Sequence, residues 1–169
     1  RGFTLIELVI VVGVVAILFA IAVPWLLNAR MSANEASTIA SLEAITDAQA
    51  LYKEVCGKGR YAASLPALAE PLPATGSAFL SPDLTSGEIV VKSGYRIAFD
   101  AETGEPPVKG CNGADTVTGY AVTAEPVRPG NTGRRYFATN SSRVVYEHTE
   151  SFGSTVPLSG APPGGTELR

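Results

Sequence analysis

The chain has 169 residues, a net charge of -3 and a sequence pI near 5.2, which limits the classes of protein it can belong to. Its 13 Lys and Arg residues are scattered along the chain, so the sequence predicts no nucleic-acid partner. His148 is the only histidine, no Cys and His cluster has zinc-ligand spacing, and no glycine-rich loop has phosphate-binding order. The sequence therefore predicts no catalytic residues, no metal site and no cofactor.

An uncharged, apolar segment covers residues 8–27. A helix of that length spans about 30 Å, which is the thickness of the hydrocarbon core of a bilayer. A cleaved secretory signal would have a shorter apolar core with a small-residue cleavage site after it, and a buried helix of a soluble domain would show a polar face. The segment therefore predicts a membrane-crossing helix that is retained in the working protein.

One carboxylate, Glu7, stands at the entrance of this segment. A carboxylate buried in lipid without a partner costs several kcal/mol, so we expect Glu7 to have a partner or a function. The alternative is an acid at the membrane interface that reaches water on its own.

The sequence Gly2-Phe3-Thr4-Leu5-Ile6-Glu7-Leu8, followed by an aliphatic stretch to Pro24, resembles the N-terminus of type IV pilins and type II secretion pseudopilins. The resemblance covers about the first 30 residues. It implies an α+β fold in which a long N-terminal spine helix, membrane-spanning in its first half, packs against a small antiparallel sheet of three or four strands.

The resemblance also implies that a membrane prepilin peptidase cuts between Gly2 and Phe3 and methylates the new N-terminus at Phe3. Arg1 and Gly2 would then be the remnant of a basic leader. The resulting amine of Phe3 lies one helical turn from Glu7 along the chain. Pairing of an incoming subunit's amine with a resident subunit's Glu7 would neutralise both charges and set the axial register of assembly.

Pro24 lies near the end of the apolar segment and has no amide N–H, so it is expected to kink or locally open the helix. Small residues at Gly13, Ala16, Ala20 and Ala22 would permit close approach of neighbouring helices. The resemblance implies that this region can lose helical order on assembly, and a static proline kink is the alternative.

Beyond Asn28 the pattern becomes amphipathic. Apolar residues recur every three or four positions, at Ile39, Leu42, Ile45, Ala48, Tyr52 and Val55. Charged residues lie between them, at Glu35, Glu43, Asp47, Lys53 and Glu54. We therefore expect a leader remnant at residues 1–2, a transmembrane and filament-core helix at 3–27 and an amphipathic helix at 28–56. A globular head at 57–152 and a Pro- and Gly-rich tail at 153–169 would follow.

Within the head, strands are predicted over residues 88–92, 94–100, 119–124, 135–139 and 143–147, with the last two forming a hairpin across 140–142. A short turn of helix is predicted at residues 65–69. The tail is predicted to be mobile or to lie on a neighbouring subunit.

The residues after the membrane segment should face an oxidising compartment, where cysteines form disulfides. Cys56 ends the spine helix and Cys111 lies in a Gly- and Pro-rich connection, so we predict a bridge between them. Free thiols or an intermolecular bond are the alternatives.

The leading functional hypothesis is a pilin that binds copies of itself in a helical homopolymer. It would depend on the prepilin peptidase and the inner-membrane assembly machinery, span the inner membrane once before assembly, and lie in an extracellular filament afterwards. A secretion pseudopilin acting as a periplasmic piston and a minor tip adhesin are the alternatives. Asp100, Glu102 and Asp115 do not have the spacing of a calcium loop, which favours a surface pilus over a pseudopilus.

Overall fold

The computed structural model describes residues 2–72, 76–102, 108–153 and 156–168. Its longest element is α1 (Leu5–Val55), a helix of 51 residues that is about 76 Å long. The apolar and amphipathic segments therefore form one continuous spine, as the sequence predicts. Arg1, the first residue of the predicted leader remnant, lies outside the described residues.

In the described ranges, six strands form one antiparallel sheet and two short strands form another. The larger sheet has the order β2-β3-β5-β6-β7-β8, and β1 pairs with β4 in the smaller one. The strand bounds are β1 (Tyr61–Ala62), β2 (Ile89–Lys92), β3 (Tyr95–Glu102), β4 (Thr116–Val117), β5 (Gly119–Pro126), β6 (Tyr136–Asn140), β7 (Val145–His148) and β8 (Thr166–Glu167). The predicted α+β architecture is confirmed, with a sheet wider than the expected three or four strands.

The predicted hairpin is present between β6 and β7, but its second strand begins later than expected. Arg143 has φ of 64°, a left-handed conformation that cannot continue a strand. Its backbone N–H donates to the Asn140 carbonyl at 3.0 Å and closes the turn, so β7 begins at Val145. The predicted turn of helix is a 3-10 turn at Pro66–Leu68.

The tail is not free of the head where it is described, and the expectation of a mobile or intermolecular tail is wrong for that part. The side chain of Asn140, which is fully buried, donates to the carbonyls of Pro157 and Gly160 at 2.8 and 2.7 Å. Strand β8 then pairs with β7, and Leu168 donates to the Val145 carbonyl at 2.9 Å. A buried amide that needs two acceptors therefore fixes the tail to its own sheet.

The core lies between the second half of α1 and the sheet. Leu42, Ile45, Ala48 and Tyr52 are buried as predicted, but Val55 is 54% exposed. Cys56 takes the inward position one turn after Tyr52 and is buried instead. The other buried apolar residues of this core include Leu65, Leu68, Tyr95, Ile97, Tyr120, Val122 and Phe137.

The aromatic side chains of the head pack within this core. Tyr120 stacks on Phe99 with a centroid distance of 5.8 Å and meets Tyr61 edge-on at 5.0 Å. Tyr52 meets Phe79 edge-on at 5.1 Å. The aromatic residues at alternating strand positions therefore act as packing groups of the core.

The predicted disulfide joins Cys56 to Cys111, with a Cα–Cα distance of 4.8 Å and a sequence separation of 55. The backbone N–H of Cys111 also donates to the Cys56 carbonyl at 3.0 Å. The bridge therefore attaches the connection before β4 to the upper end of the spine.

Replacement of both cysteines by serine should lower the free energy of unfolding by about 4 kcal/mol, because the unfolded chain is then free of a long covalent loop. Urea unfolding of the detergent-solubilised chain, followed by near-UV circular dichroism of the buried tyrosines, measures the change.

A reducing agent should destabilise the native chain by a similar amount and leave the double variant unaffected. Equal sensitivity of both proteins to reduction would contradict this account.

Candidate assembly and membrane site

The apolar part of α1, residues 8–27, is not covered by any other part of the described chain. It contains a helix window that is long and apolar enough to cross a membrane by length and composition, and none of that window is buried by the rest of the protein. Phe3 and Trp25, at the two ends of the apolar half, are 82% and 74% exposed. An apolar surface of this extent requires lipid or other protein to cover it.

The lower end of the helix begins at a side-chain cap. Thr4 is the N-cap, and its hydroxyl accepts the backbone N–H of Glu7 at 3.3 Å. Glu7 thus lies in the first helical turn, where a negative charge is favoured by the helix dipole. Gly2 and Phe3 precede the cap and are exposed. The arrangement leaves these two residues and the Glu7 side chain exposed.

Pro24 lies inside α1, and the helix is continuous from Leu5 to Val55 around it. Helix is therefore retained at Pro24 in the isolated subunit. The predicted kink and the loss of helical order on assembly remain predictions.

Glu35 joins the helix to the sheet, although the sequence pattern placed it among the outward polar residues. It is only 7% exposed. One of its carboxylate oxygens accepts the backbone N–H groups of Arg134 and Arg135 at 2.8 and 3.3 Å, and the other accepts the Arg135 guanidinium at 2.8 Å. Arg135 also donates to Glu147 on β7 at 2.6 Å. We refer to Glu35, Arg135 and Glu147 as the spine clamp.

Burial alone would raise the pKa of Glu35. The hydrogen bonds from the Arg134 backbone and from the Arg135 side chain and backbone outweigh it, so the pKa of Glu35 is lowered from its ordinary value of 4.5. Because the folded state holds the carboxylate ionised, its contribution to stability is complete above about pH 4.5 and is lost as the pH falls through the lowered pKa.

The loop between β5 and β6 is held at two further points, against the spine by Asn34 and against β3 by Tyr95. The Asn34 side chain donates to the Thr132 carbonyl at 2.8 Å, and the buried Tyr95 hydroxyl donates to the Arg135 carbonyl at 2.8 Å. An added Cβ at Gly133 would lie 2.0 Å from that hydroxyl, so only glycine fits there. Burial raises the pKa of Tyr95, which keeps the hydroxyl protonated as a donor.

Hydrophobic periodicity does not predict two features of this site. The spacing Thr4-x-x-Glu7 is a capping-box pattern and could have identified the start of the helix. The burial of Glu35 has no local signal, because its partners Arg134 and Arg135 lie about 100 residues away in sequence.

Other polar candidates take part in local contacts. His148 shares a hydrogen bond with the backbone of Glu150 and packs against Phe152. Asp115 forms an ion pair with Lys109 at 2.7 Å. No group of three or more His, Cys, Asp or Glu side chains suited to hold a metal occurs in the part of the chain that the structure describes.

Together these features define a class of protein in which one long helix has an exposed apolar half and carries an antiparallel sheet on its other half. Residues 1–23 match the family described as the prokaryotic N-terminal methylation motif. The chain is also 45% identical over 53 residues to the type IV wide pilus major component PilA4 of Thermus thermophilus. The matched residues are 31% of this chain and 40% of that protein. The motif, the relative and the fold support the assignment of the chain to the type IV pilin superfamily.

Replacement of Glu35 by Gln should lower the free energy of unfolding by about 2 kcal/mol at neutral pH, because hydrogen bonds to a charged acceptor are lost. The loss should shrink below about pH 4.5, where the native carboxylate also becomes protonated. Urea unfolding over a series of pH values measures both effects.

Glu43→Gln is the matched control, since Glu43 is an exposed carboxylate on the same helix. A Glu35→Gln loss that does not change between neutral and acidic pH would rule out the ionised clamp.

Proposed function

We propose that this chain is a structural subunit that polymerises through α1 into a type IV pilus-like filament. The observation that carries the proposal is the unburied lower half of the helix. Eighteen large apolar side chains between Phe3 and Leu27 are exposed, and burial of each contributes about 1.5–3 kcal/mol. A bundle of such helices would remove this surface from water and leave the sheet domains on the outside.

Before assembly, a lipid bilayer would cover the same surface. The chain would wait in the inner membrane as a single-pass protein with its head on the outer side, and would move into a filament at the cell surface. A prepilin peptidase and the inner-membrane assembly machinery would act on it there. The match to the N-terminal methylation motif supports cleavage between Gly2 and Phe3 and methylation of Phe3.

The Phe3 amine and the Glu7 carboxylate would direct assembly. Each charge alone is unfavourable in an apolar helix bundle, and each becomes acceptable beside the opposite charge of a neighbouring subunit. The Thr4 hydroxyl accepts the backbone N–H of Glu7. The Glu7 side chain itself has no hydrogen bond within the described chain. A Glu7 carboxylate without a partner in the described chain supports a role in pairing between subunits.

The name of the Thermus relative, a wide pilus major component, favours a pilus over a secretion pseudopilus or a tip adhesin. We take from that name only the kind of filament, because the aligned residues cover less than half of the relative. The role is structural and requires no catalytic group.

Glu7→Ala should leave membrane insertion intact and lower filament yield. Loss of one partner of a buried charge pair costs about 3 kcal/mol, which corresponds to a decrease on the order of a hundredfold in the equilibrium for subunit addition. Electron microscopy and quantitative blotting of sheared surface filaments measure the yield, and alkaline extraction of membranes measures insertion.

Glu43→Ala removes a carboxylate from the same helix outside the apolar half and should assemble normally. A normal filament yield from Glu7→Ala would refute the charge pairing.

Gly2→Val should block removal of the leader without disturbing the fold, because an added Cβ at Gly2 meets no atom within 4 Å. Intact-mass spectrometry of membranes containing the peptidase should find the parent protein beginning at a methylated Phe3 and the variant unprocessed.

Cells that lack the peptidase supply the reference mass of the uncut chain. A mature terminus at any residue other than Phe3 in the parent protein would disprove this cleavage site.

A further inference from the structure

Two arginines lie where the head meets the apolar half of α1. Arg30 is on the helix, three residues beyond the segment 8–27. Arg134 precedes β6, and its guanidinium donates to the Asn28 side chain at 2.9 Å. Since the backbone N–H of Arg134 is held by Glu35, the spine clamp fixes this arginine beside the start of the upper helix.

A third arginine, Arg128, lies across the same loop. Its backbone N–H donates to the Thr132 hydroxyl at 3.1 Å, and the Thr132 carbonyl accepts the Asn34 side chain. Asn34 lies one helical turn above Arg30 on the same face of α1. The loop between β5 and β6 thus brings Arg128 and Arg134 to the end of the head that lies beside Arg30 and the apolar segment.

The contact with Asn28 sets the height of the Arg134 guanidinium. Asn28 and Arg30 lie within about 5 Å of the end of the apolar segment at 1.5 Å of rise per residue. The headgroup layer of a bilayer extends about 5–7 Å beyond the hydrocarbon core on each side. When the core covers residues 8–27, the Arg134 guanidinium therefore lies at the level of the lipid phosphates.

The charges of these arginines are not neutralised within the described chain, unlike those of nearby cations. Lys92 pairs with Asp83 at 2.7 Å, and Arg96 pairs with Glu125 at 3.0 Å. By contrast, Arg30, Arg128 and Arg134 form no ion pair with a described carboxylate, and all three are exposed. The end of the head nearest the apolar segment thus presents three free positive charges.

Apolar side chains accompany these charges. Trp25 lies two residues inside the end of the apolar segment and is 74% exposed, and Val127 precedes Arg128 and is half exposed. Tryptophan favours the boundary between hydrocarbon and headgroups, where its amphipathic ring sits. Cations and interfacial apolar groups at one height are typical of a surface that faces a membrane.

We propose that Arg30, Arg128 and Arg134 form a basic collar that binds the phosphates of anionic lipid headgroups in the outward-facing leaflet. The collar would hold the head against the membrane while the subunit waits for assembly. The proposal rests on the proposed function, in which residues 8–27 cross the bilayer. Exposed carboxylates of a second copy, such as Glu43 and Glu54, are the competing partner. The lipid is favoured because the Asn28 contact and Trp25 set the phosphate height independently.

The test uses the full chain in nanodiscs of phosphatidylcholine, with or without phosphatidylglycerol. A fluorophore on Asn131→Cys, an exposed position in the collar loop, reports docking through quenching by a spin label on the lipid headgroups. Quenching should rise with phosphatidylglycerol. R30Q/R128Q/R134Q should reduce the ratio of docked to undocked heads on the order of a hundredfold, at about fivefold per arginine.

K58Q/K109Q/R143Q removes the same number of charges from exposed positions elsewhere on the head and should dock normally. An inserted chain whose quenching does not depend on phosphatidylglycerol would overturn the collar alone. Quenching that requires several copies per nanodisc would also overturn it, in favour of the second copy. Failure of the chain to remain in the bilayer after alkaline extraction would overturn both the collar and the membrane state of the proposed function.

Discussion

The apolar half of α1, which nothing in the described chain covers, is the constraint on which the rest of the structure depends. A surface of this size is stable only in lipid or against similar helices, so this half of α1 must be covered by its surroundings. The head must leave this half free and can attach only to the upper helix. Its packing follows that rule, because the buried positions of α1 begin at Met31 and recur up to Tyr52.

Attachments of different chemistry stand at the two ends of the contact between the head and the upper helix. Near the apolar half of α1, the spine clamp joins a buried carboxylate to two backbone amides and a guanidinium. At the far end, the bridge from Cys56 to Cys111 is covalent. The apolar core between them supplies the bulk of the burial, while the polar and covalent contacts fix which helix residues face which strands.

The features that the sequence predicts are those with local signals. Hydrophobic periodicity locates the spine and most of its buried face, and alternation with turn residues locates five strands of the larger sheet. Val55 departs from the pattern because Cys56, one helical turn after Tyr52, falls on the buried face and Val55 lies beside that face. Glu35 is buried by partners about 100 residues away in sequence, and Asn140 is buried by the irregular tail. Periodicity therefore does not predict the burial of either residue. The exposed apolar helix and the N-terminal motif are both local, whereas the basic collar depends on a contact between residues 28 and 134.

The position of the spine clamp has a mechanical consequence. Force applied to α1 through its apolar half meets the clamp before it meets the bridge from Cys56 to Cys111. The clamp's hydrogen bonds can break and re-form, whereas the disulfide keeps the connection before β4 attached to the end of the helix. Separation of the head from the helix would therefore begin at contacts that can re-form, while the far end keeps its alignment.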